Sequence, residues 1–393
     1  MKSTVQKNYY FDHAAGAPLA PEALEAMLPY LQEYANPSSL YGAAREARQA
    51  IEAARASIAD TLGAKPTEIV FTSGTTEGDN LALQGVLRAH PGAHWITSAI
   101  EHEAVLAYTR PAANEHHPCT IVPVKPSGIV DPAAVERAVT DQTVLISLMM
   151  ANNEIGTIQP VAEIAKIIAN VRAGRTKRGL SLPLYLHSDG AQAAGYLDLH
   201  VSRLGLDLLT LGGAKMYGPK GTGILYIRHG TGLEPLIYGG GQERGRRSGT
   251  ENVAGAVGLA KALELATTTR PAESRRLATL RDQLLRRILE TIPGARLNGD
   301  PRRRLPNNLS FIIPGAEGEA MVLYLDQAGI QASTGSACTT GSLEPSHVLL
   351  AIGRTPAEAN CSLRLTLGRA TNQAAVDHLV AVLPPIVNRL REL

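Results

Sequence analysis

Short apolar runs alternate with stretches of helical period along the first two thirds of this chain. Residues 68–72, 94–97, 120–123, 144–149, 184–187 and 206–210 are compact, mostly apolar runs that read as strands. Between them, residues 77–88 and the segment from His102 carry helix-spaced apolar positions. Alternation of this kind predicts an α/β fold whose largely parallel sheet is covered by helices on both faces. Such sheets gather ligands at the carboxyl ends of their strands. Near residue 265 the texture changes. A long amphipathic helix is expected over 274–292, then a strand at 308–312, a helix over 317–328 and a strand at 363–367. The last helical pattern, from Asn372, contains Pro384-Pro385, which is expected to break or kink it. The expected division is a large unit over 16–265 and a smaller α+β unit built from 1–15 with 266–393.

Composition narrows the class without naming it. The 393 residues are 44% hydrophobic and 19% charged, with a net charge of +2. That balance gives no reason to expect nucleic acid or an anionic membrane as a partner. Three cysteines, Cys119, Cys338 and Cys361, show no metal-type spacing and point to a reducing compartment rather than a disulfide scaffold or a zinc site. The N-terminal residues lack an apolar signal-like core, and no run of about 18 apolar residues occurs. A soluble, cytoplasmic protein is expected.

Several motifs carry chemistry, each beside a plainer alternative. Gly74-Thr75-Thr76-Glu77 follows a strand and opens a helix, which makes either an ordinary cap or a phosphate site. Asp189, in Leu186-His187-Ser188-Asp189-Gly190-Ala191-Gln192, sits in a common turn dipeptide or offers a carboxylate to the protonated nitrogen of an aromatic heterocycle. Lys215 lies in a glycine-rich stretch of small uncharged residues, a setting that suits a lysine of lowered pKa able to form a Schiff base. His102 caps a helix or faces a ligand, and Asn153 belongs to a turn or to a site. Arg364 is a structural ion-pair partner or a clamp for a carboxylate. Cys338 stands among small and polar residues, 333–342, where a buried structural cysteine is out of place.

Together these motifs resemble the cysteine desulfurases of the class V aminotransferase family, pyridoxal-phosphate enzymes of fold type I. The likeness runs from Tyr10-Phe11-Asp12-His13-Ala14-Ala15 through Asn36-Pro37-Ser38-Ser39 to Leu367-Gly368-Arg369. Between them, Phe71-Thr72-Ser73-Gly74-Thr75-Thr76-Glu77, Asn152-Asn153-Glu154-Ile155-Gly156, Gly239-Gly240-Gly241-Gln242-Glu243-Arg244-Gly245 and Arg247-Ser248-Gly249-Thr250 occur in family order. The stretch around Ser336-Ala337-Cys338 is similar to the subgroup with an extended, mobile catalytic loop.

The resemblance implies a set of roles. By it, Lys215 forms the Schiff base with pyridoxal 5′-phosphate, Asp189 pairs with the ring nitrogen, and His102 lies over the ring. Gln192 and Asn153 contact the ring oxygen, while Thr75 and Thr76 hold the phosphate. Thr250 reaches the phosphate bound by the neighbouring subunit of a homodimer. Arg364 takes the carboxylate of L-cysteine, with Asn153 beside it, and Cys338 accepts the sulfur as a persulfide. A sulfur-acceptor protein then collects it; iron–sulfur cluster assembly and tRNA thiolation are both open. Selenocysteine lyase and an aminotransferase of the same fold are the alternative activities, and a catalytically idle scaffold is the alternative from another class.

Three positions depart from the resemblance. Gly212 stands where many relatives have a phosphate-binding serine, Ala214 where many have a histidine, and Tyr41 where a histidine is usual. A missing hydroxyl at 212 predicts a weaker hold on the phosphate. Gly212→Ser is then expected to regain about 1 kcal/mol, roughly fivefold in affinity.

Overall fold

The computed structural model describes residues 8–110, 116–335 and 344–392. The chain enters through β1 (Tyr9–Tyr10), α1 (Pro21–Leu31) and α2 (Gly42–Leu62). An α/β run follows: β2 (Ile69–Thr72), α3 (Thr75–Ala89), β3 (His94–Ser98), α4 (Glu103–Leu106), β4 (Cys119–Val122), α5 (Pro132–Ala138) and β5 (Thr143–Ser147). It continues through α6 (Val161–Lys177), β6 (Tyr185–Asp189), α7 (Val201–Leu204), β7 (Leu208–Gly212) and β8 (Gly223–Ile227). The remainder is α8 (Val253–Thr291), β9 (Arg296–Leu297), β10 (Asn308–Ile312), α9 (Gly318–Gln327), β11 (Ile330–Gln331), α10 (His347–Ala351), α11 (Pro356–Ala359), β12 (Ser362–Thr366) and α12 (Gln373–Arg391).

Among the described residues, seven strands form the main sheet in the order β2-β8-β7-β6-β5-β3-β4. Only β8 runs against its neighbours β2 and β7; the pairs from β7 across to β4 are parallel. The period of two along each strand sends alternate side chains to opposite faces. Ile69, Ile96, Ile146, Leu186 and Leu209 pack beneath α2, α6 and α8, whereas Val70, Trp95, Leu145 and Leu208 pack against α3. Apolar burial on both faces is why these strands read as continuous apolar runs. The β8 run was not among the expected strands, and it adds an antiparallel member to the mainly parallel sheet.

Two expectations about helices need correction. The helix expected over 274–292 is the second half of α8, which runs unbroken through Pro271. Its first half buries Leu259 and Leu263 against the main sheet, and its second half buries Leu277, Leu284 and Ile288 in a separate cluster with Phe11, Phe311 and Leu365. The change of texture at residue 265 therefore marks a change of packing partner inside one helix. Nor does Pro384-Pro385 break the last helix, which is helical from Gln373 to Arg391. Pro385 is exposed and Pro384 half-buried while Leu379, Leu383 and Val387 stay buried, so burial on one face outweighs the lost backbone bonds. The smaller sheet, β12-β10-β9, is antiparallel, and β1 pairs with β11 beside it.

Pro385 is exposed, so Pro385→Ala restores a donor to the carbonyl of Ala381 without touching the core. It should raise stability by about 1–2 kcal/mol, the interior-proline penalty less the entropy gained by the unfolded chain. Chemical denaturation checks this, and an unchanged or lower midpoint would show that the helix has already relaxed around both prolines.

Candidate active site

The carboxyl ends of β2, β3, β5, β6 and β7 converge on a cavity of about 480 Å³. Thr75, Thr76, His102, Asn153, Asp189, Gln192, Lys215 and Arg364 all line it. Thr250 does not. It is exposed and lines a neighbouring cavity of about 200 Å³ with Ser73, Thr222 and Arg247. Cys338 lies outside the described residues.

Asp189 ends β6, the central strand. One carboxyl oxygen accepts from the N–H of Ala191 at 2.8 Å. Burial pushes its pKa up, while that hydrogen bond and the charges of His102 and Lys215 pull it back down. Beneath it lies a neutral layer. His187 shares hydrogen bonds with Ser147 and Thr210, both at 2.9 Å, and burial pushes its pKa down to about 3. Its Nε2 is 3.6 Å from the carboxyl of Asp79, which burial and then the charge of Asp189 hold well above the ordinary range. Compensation for an ionised Asp189 therefore comes from the cavity side.

Lys215 follows β7 in a single 3-10 turn, and its Nζ donates to the carbonyl of Ala15 at 2.5 Å. Two residues on, Tyr217 has a left-handed φ of 62°, an uncommon geometry for a non-glycine residue. Its hydroxyl accepts from the N–H of Arg369, whose guanidinium lies 4.3 Å over the Tyr217 ring. Arg369 thus holds the Tyr217 side chain two residues beyond the lysine.

At the start of α3 the cap residue, Gly74, has φ 152° and no side chain to cover the first-turn N–H groups. Those donors and the hydroxyls of Thr75 and Thr76 form an anion cradle. His102 does cap α4, with Nδ1 accepting from Ala104 N–H at 3.1 Å, and it also lines the cavity. In the turn after β5, Asn152 rather than Asn153 ties the backbone, accepting from the N–H groups of Glu154 and Ile155. Asn153 is left to face the cavity. Gln192 donates to Ala14 O at 3.0 Å. Arg364, 2% exposed on β12, donates to Asp12 at 2.7 Å and to the carbonyls of Gly335 and Asn153 at 3.0 and 3.3 Å. Of the departing positions, Gly212 and Ala214 line the cavity, and Tyr41 is exposed elsewhere.

A model of the aminotransferase class-V family matches residues 9–379. The chain belongs to this family. A cysteine desulfurase IscS of Methanosarcina thermophila is 46% identical over 394 aligned residues, covering 100% of this chain and 95% of that protein. Among solved structures, a NifS-like protein superimposes with a TM-score of 0.87 at 34% identity, covering 98% of this chain and 100% of the other. A structure described as SspA in complex with cysteine gives a TM-score of 0.77 at 36% identity, over 91% and 98%. The family's enzymes are pyridoxal-phosphate-dependent, and this chain has their fold type I architecture. Its cavity fits that cofactor: an uncapped helix start offers an anion cradle, and a buried carboxyl and a lysine share the same walls.

Some contributors escaped the sequence reading. Asp79 falls on the buried face of α3 with Ala82, Leu83 and Val86 at helical spacing, and a charge in that stripe was the available signal. Glu243 and Arg55 form a buried bidentate pair at 2.7 and 2.8 Å, and Glu243 also accepts from Phe71 N–H. Nothing local marks that pairing across 188 positions.

Glu101, which precedes His102, accepts from Ser98 and from the N–H of Met149. Burial pushes its carboxyl up to about 8, despite the hydrogen bond from Ser98. The folded state therefore keeps a proton that the unfolded chain releases near pH 4.5, and stability falls as pH rises from there to about 8. Glu101→Gln mimics the protonated form. Its melting temperature relative to the parent should rise between pH 5 and pH 8 in the cofactor-free protein. A difference that stays flat or falls would show that Glu101 is ionised in the fold.

Proposed function

We propose that the protein is a pyridoxal-phosphate-dependent cysteine desulfurase, converting L-cysteine to L-alanine and carrying the sulfur as a persulfide on Cys338 to an acceptor protein. The observation that carries this reading is positional. Lys215, Asp189 and Arg364 share one cavity, and its wall includes Gly335, three residues before Cys338. Covalent reach alone keeps that cysteine within about 11 Å of Gly335. Family membership and the desulfurase relatives support the same reading.

The cofactor, when bound, supplies an electron sink for the carbanion formed at the substrate α-carbon. In our assignment Thr75, Thr76 and the first turn of α3 hold its phosphate, Asp189 keeps a proton on the ring nitrogen, and His102, Asn153 and Gln192 hold the ring. Lys215 Nζ would anchor the cofactor and would carry the substrate α-proton. Arg364 binds the substrate carboxylate, with Asn153 beside it. The Cys338 thiolate attacks the substrate sulfur; an S–S bond forms, the C–S bond breaks, and returned protons complete alanine. Burial pushes the Cys119 thiol up to about 12, which leaves it a poor competitor. An iron–sulfur assembly scaffold is our candidate acceptor, and a reducing cytoplasm is the compartment that the cysteine usage favours.

We also propose the two-unit division at residue 265 and a homodimer. Leu24, Leu28 and Leu31, at 42%, 55% and 55% exposed, line the outer face of α1 at helical spacing. A second copy is a suitable cover for that stripe. The exposed Thr250 beside the neighbouring cavity is suited to reach the partner's phosphate.

Three experiments test the reading. Borohydride should fix the cofactor to Lys215 in the parent, and Lys215→Ala should abolish both the adduct and turnover; a reconstituted parent with no adduct at 215 would sink the assignment. Cys338→Ser should bind cofactor and substrate yet lose persulfide, whereas Cys119→Ser should desulfurise normally. Undiminished desulfurisation by Cys338→Ser removes the central claim. Finally, mixing Lys215→Ala with Thr250→Ala chains should give more activity than either alone, because shared sites allow one undamaged site per heterodimer. A fully active monomer by light scattering contradicts this.

A further inference from the structure

Gly212 closes β7 with φ −133° and ψ 136°, an extended geometry open to any residue. The backbone therefore does not require glycine there. The requirement comes from across the cavity wall: a Cβ at position 212 would lie 2.3 Å from Oγ1 of Thr75 and 3.4 Å from its backbone N. At 2.3 Å one of the two must move, and the Thr75 hydroxyl is the end that can. The Cβ of Thr75 is at 3.6 Å, an ordinary contact. The conflict is thus with the hydroxyl itself and with little else. Both residues line the cavity, and Thr75 is the first residue of a 15-residue helix whose cap has no side chain.

We infer that Gly212 and Thr75 form one phosphate-recognition unit, in which the missing side chain at 212 keeps open the position from which the Thr75 hydroxyl donates. A side chain at 212 forces the Thr75 hydroxyl out of that position. This rests on the pyridoxal-phosphate reading and deepens it. It replaces the expectation drawn from the departure at 212 with its opposite. Gly212 does not mark a lost donor waiting to be restored; its space is already taken by a donor on α3, and Gly212→Ser disturbs it.

Titration of the cofactor-free protein with pyridoxal 5′-phosphate and, in parallel, with unphosphorylated pyridoxal tests the unit. The readouts are the absorbance of the bound form and the borohydride adduct at Lys215. Thr75→Ala should weaken pyridoxal phosphate about tenfold, the effect of one hydrogen bond to a charged group, and leave pyridoxal unchanged. Gly212→Ala should weaken it at least as much, though it removes no donor. The Thr75→Ala/Gly212→Ala pair should bind no more weakly than Thr75→Ala alone and should melt above Gly212→Ala, because the clash is gone. Gly212→Ser should bind more weakly than the parent. Losses that add, or parent-like affinity in Gly212→Ala or Gly212→Ser, overturn the proposal. Should Gly212→Ala fail to fold, Thr75→Ser decides: it keeps the hydroxyl and must retain affinity, and a loss equal to that of Thr75→Ala also overturns the proposal. A parent protein that binds neither aldehyde at Lys215 would instead defeat the pyridoxal-phosphate reading itself.

Discussion

A carboxyl group held out of water at the end of the central strand sets the terms for the rest of the site. Asp189 receives one backbone N–H, and what lies beneath it is neutral: a histidine already committed to two hydroxyls, and a second carboxyl driven towards its protonated form. An ionised carboxylate in such surroundings is unfavourable unless a cation faces it. The cations that act on Asp189, His102 and Lys215, stand at the ends of β3 and β7 and share its cavity. The carboxyl is electrostatically matched to a cation on its cavity side, because the protein supplies no balancing charge from below.

The cavity wall is held by a second set of ionic contacts. Arg55 and Glu243 are both buried, and a buried ion pair contributes little by itself because desolvation offsets attraction. Here every contact has a further partner: Arg55 also donates to Ile69 O, and Glu243 accepts from Phe71 N–H. The pair fastens the 239–250 loop to β2, and it does so while Glu243 and Arg244 hold left-handed φ values of 49° and 59°. Farther along the loop, Arg247 pairs with Glu77, which also accepts from Ser73 N–H. The loop carrying Thr250 and the helix start carrying Thr75 are therefore one mechanical piece.

The parallel strands were legible because both faces are buried, leaving runs with few polar interruptions. Most of the candidate site was legible for a related reason: most cavity-lining residues follow strand ends, where sequence motifs and topology coincide. What was hidden depends on contacts between distant positions. The course of α8 through Pro271 follows from its two halves packing on different clusters, which overrides the local signal for a stop. Gly212 looked like a loss because sequence shows the missing side chain and not the hydroxyl occupying its place.

Arg364 links Asp12, Asn153 and Gly335 through one guanidinium. Its Nη1 donates to the carbonyls of Asn153 and Gly335, its Nη2 donates to Asp12, and Nε has no hydrogen-bond partner among the described residues. The guanidinium is thus oriented by the backbone just before the segment that bears Cys338, and Ser333 pairs with Arg364 through both of its own backbone groups. On the far side of that segment, Ser346 donates to Glu154, the neighbour of Asn153. Both flanks are therefore tied to the turn and the arginine to which we assign the substrate. A carboxylate that draws the Arg364 guanidinium towards itself pulls against the carbonyl of Gly335. With the substrate carboxylate assigned to Arg364, its binding would therefore act on the hydrogen bond that holds Gly335.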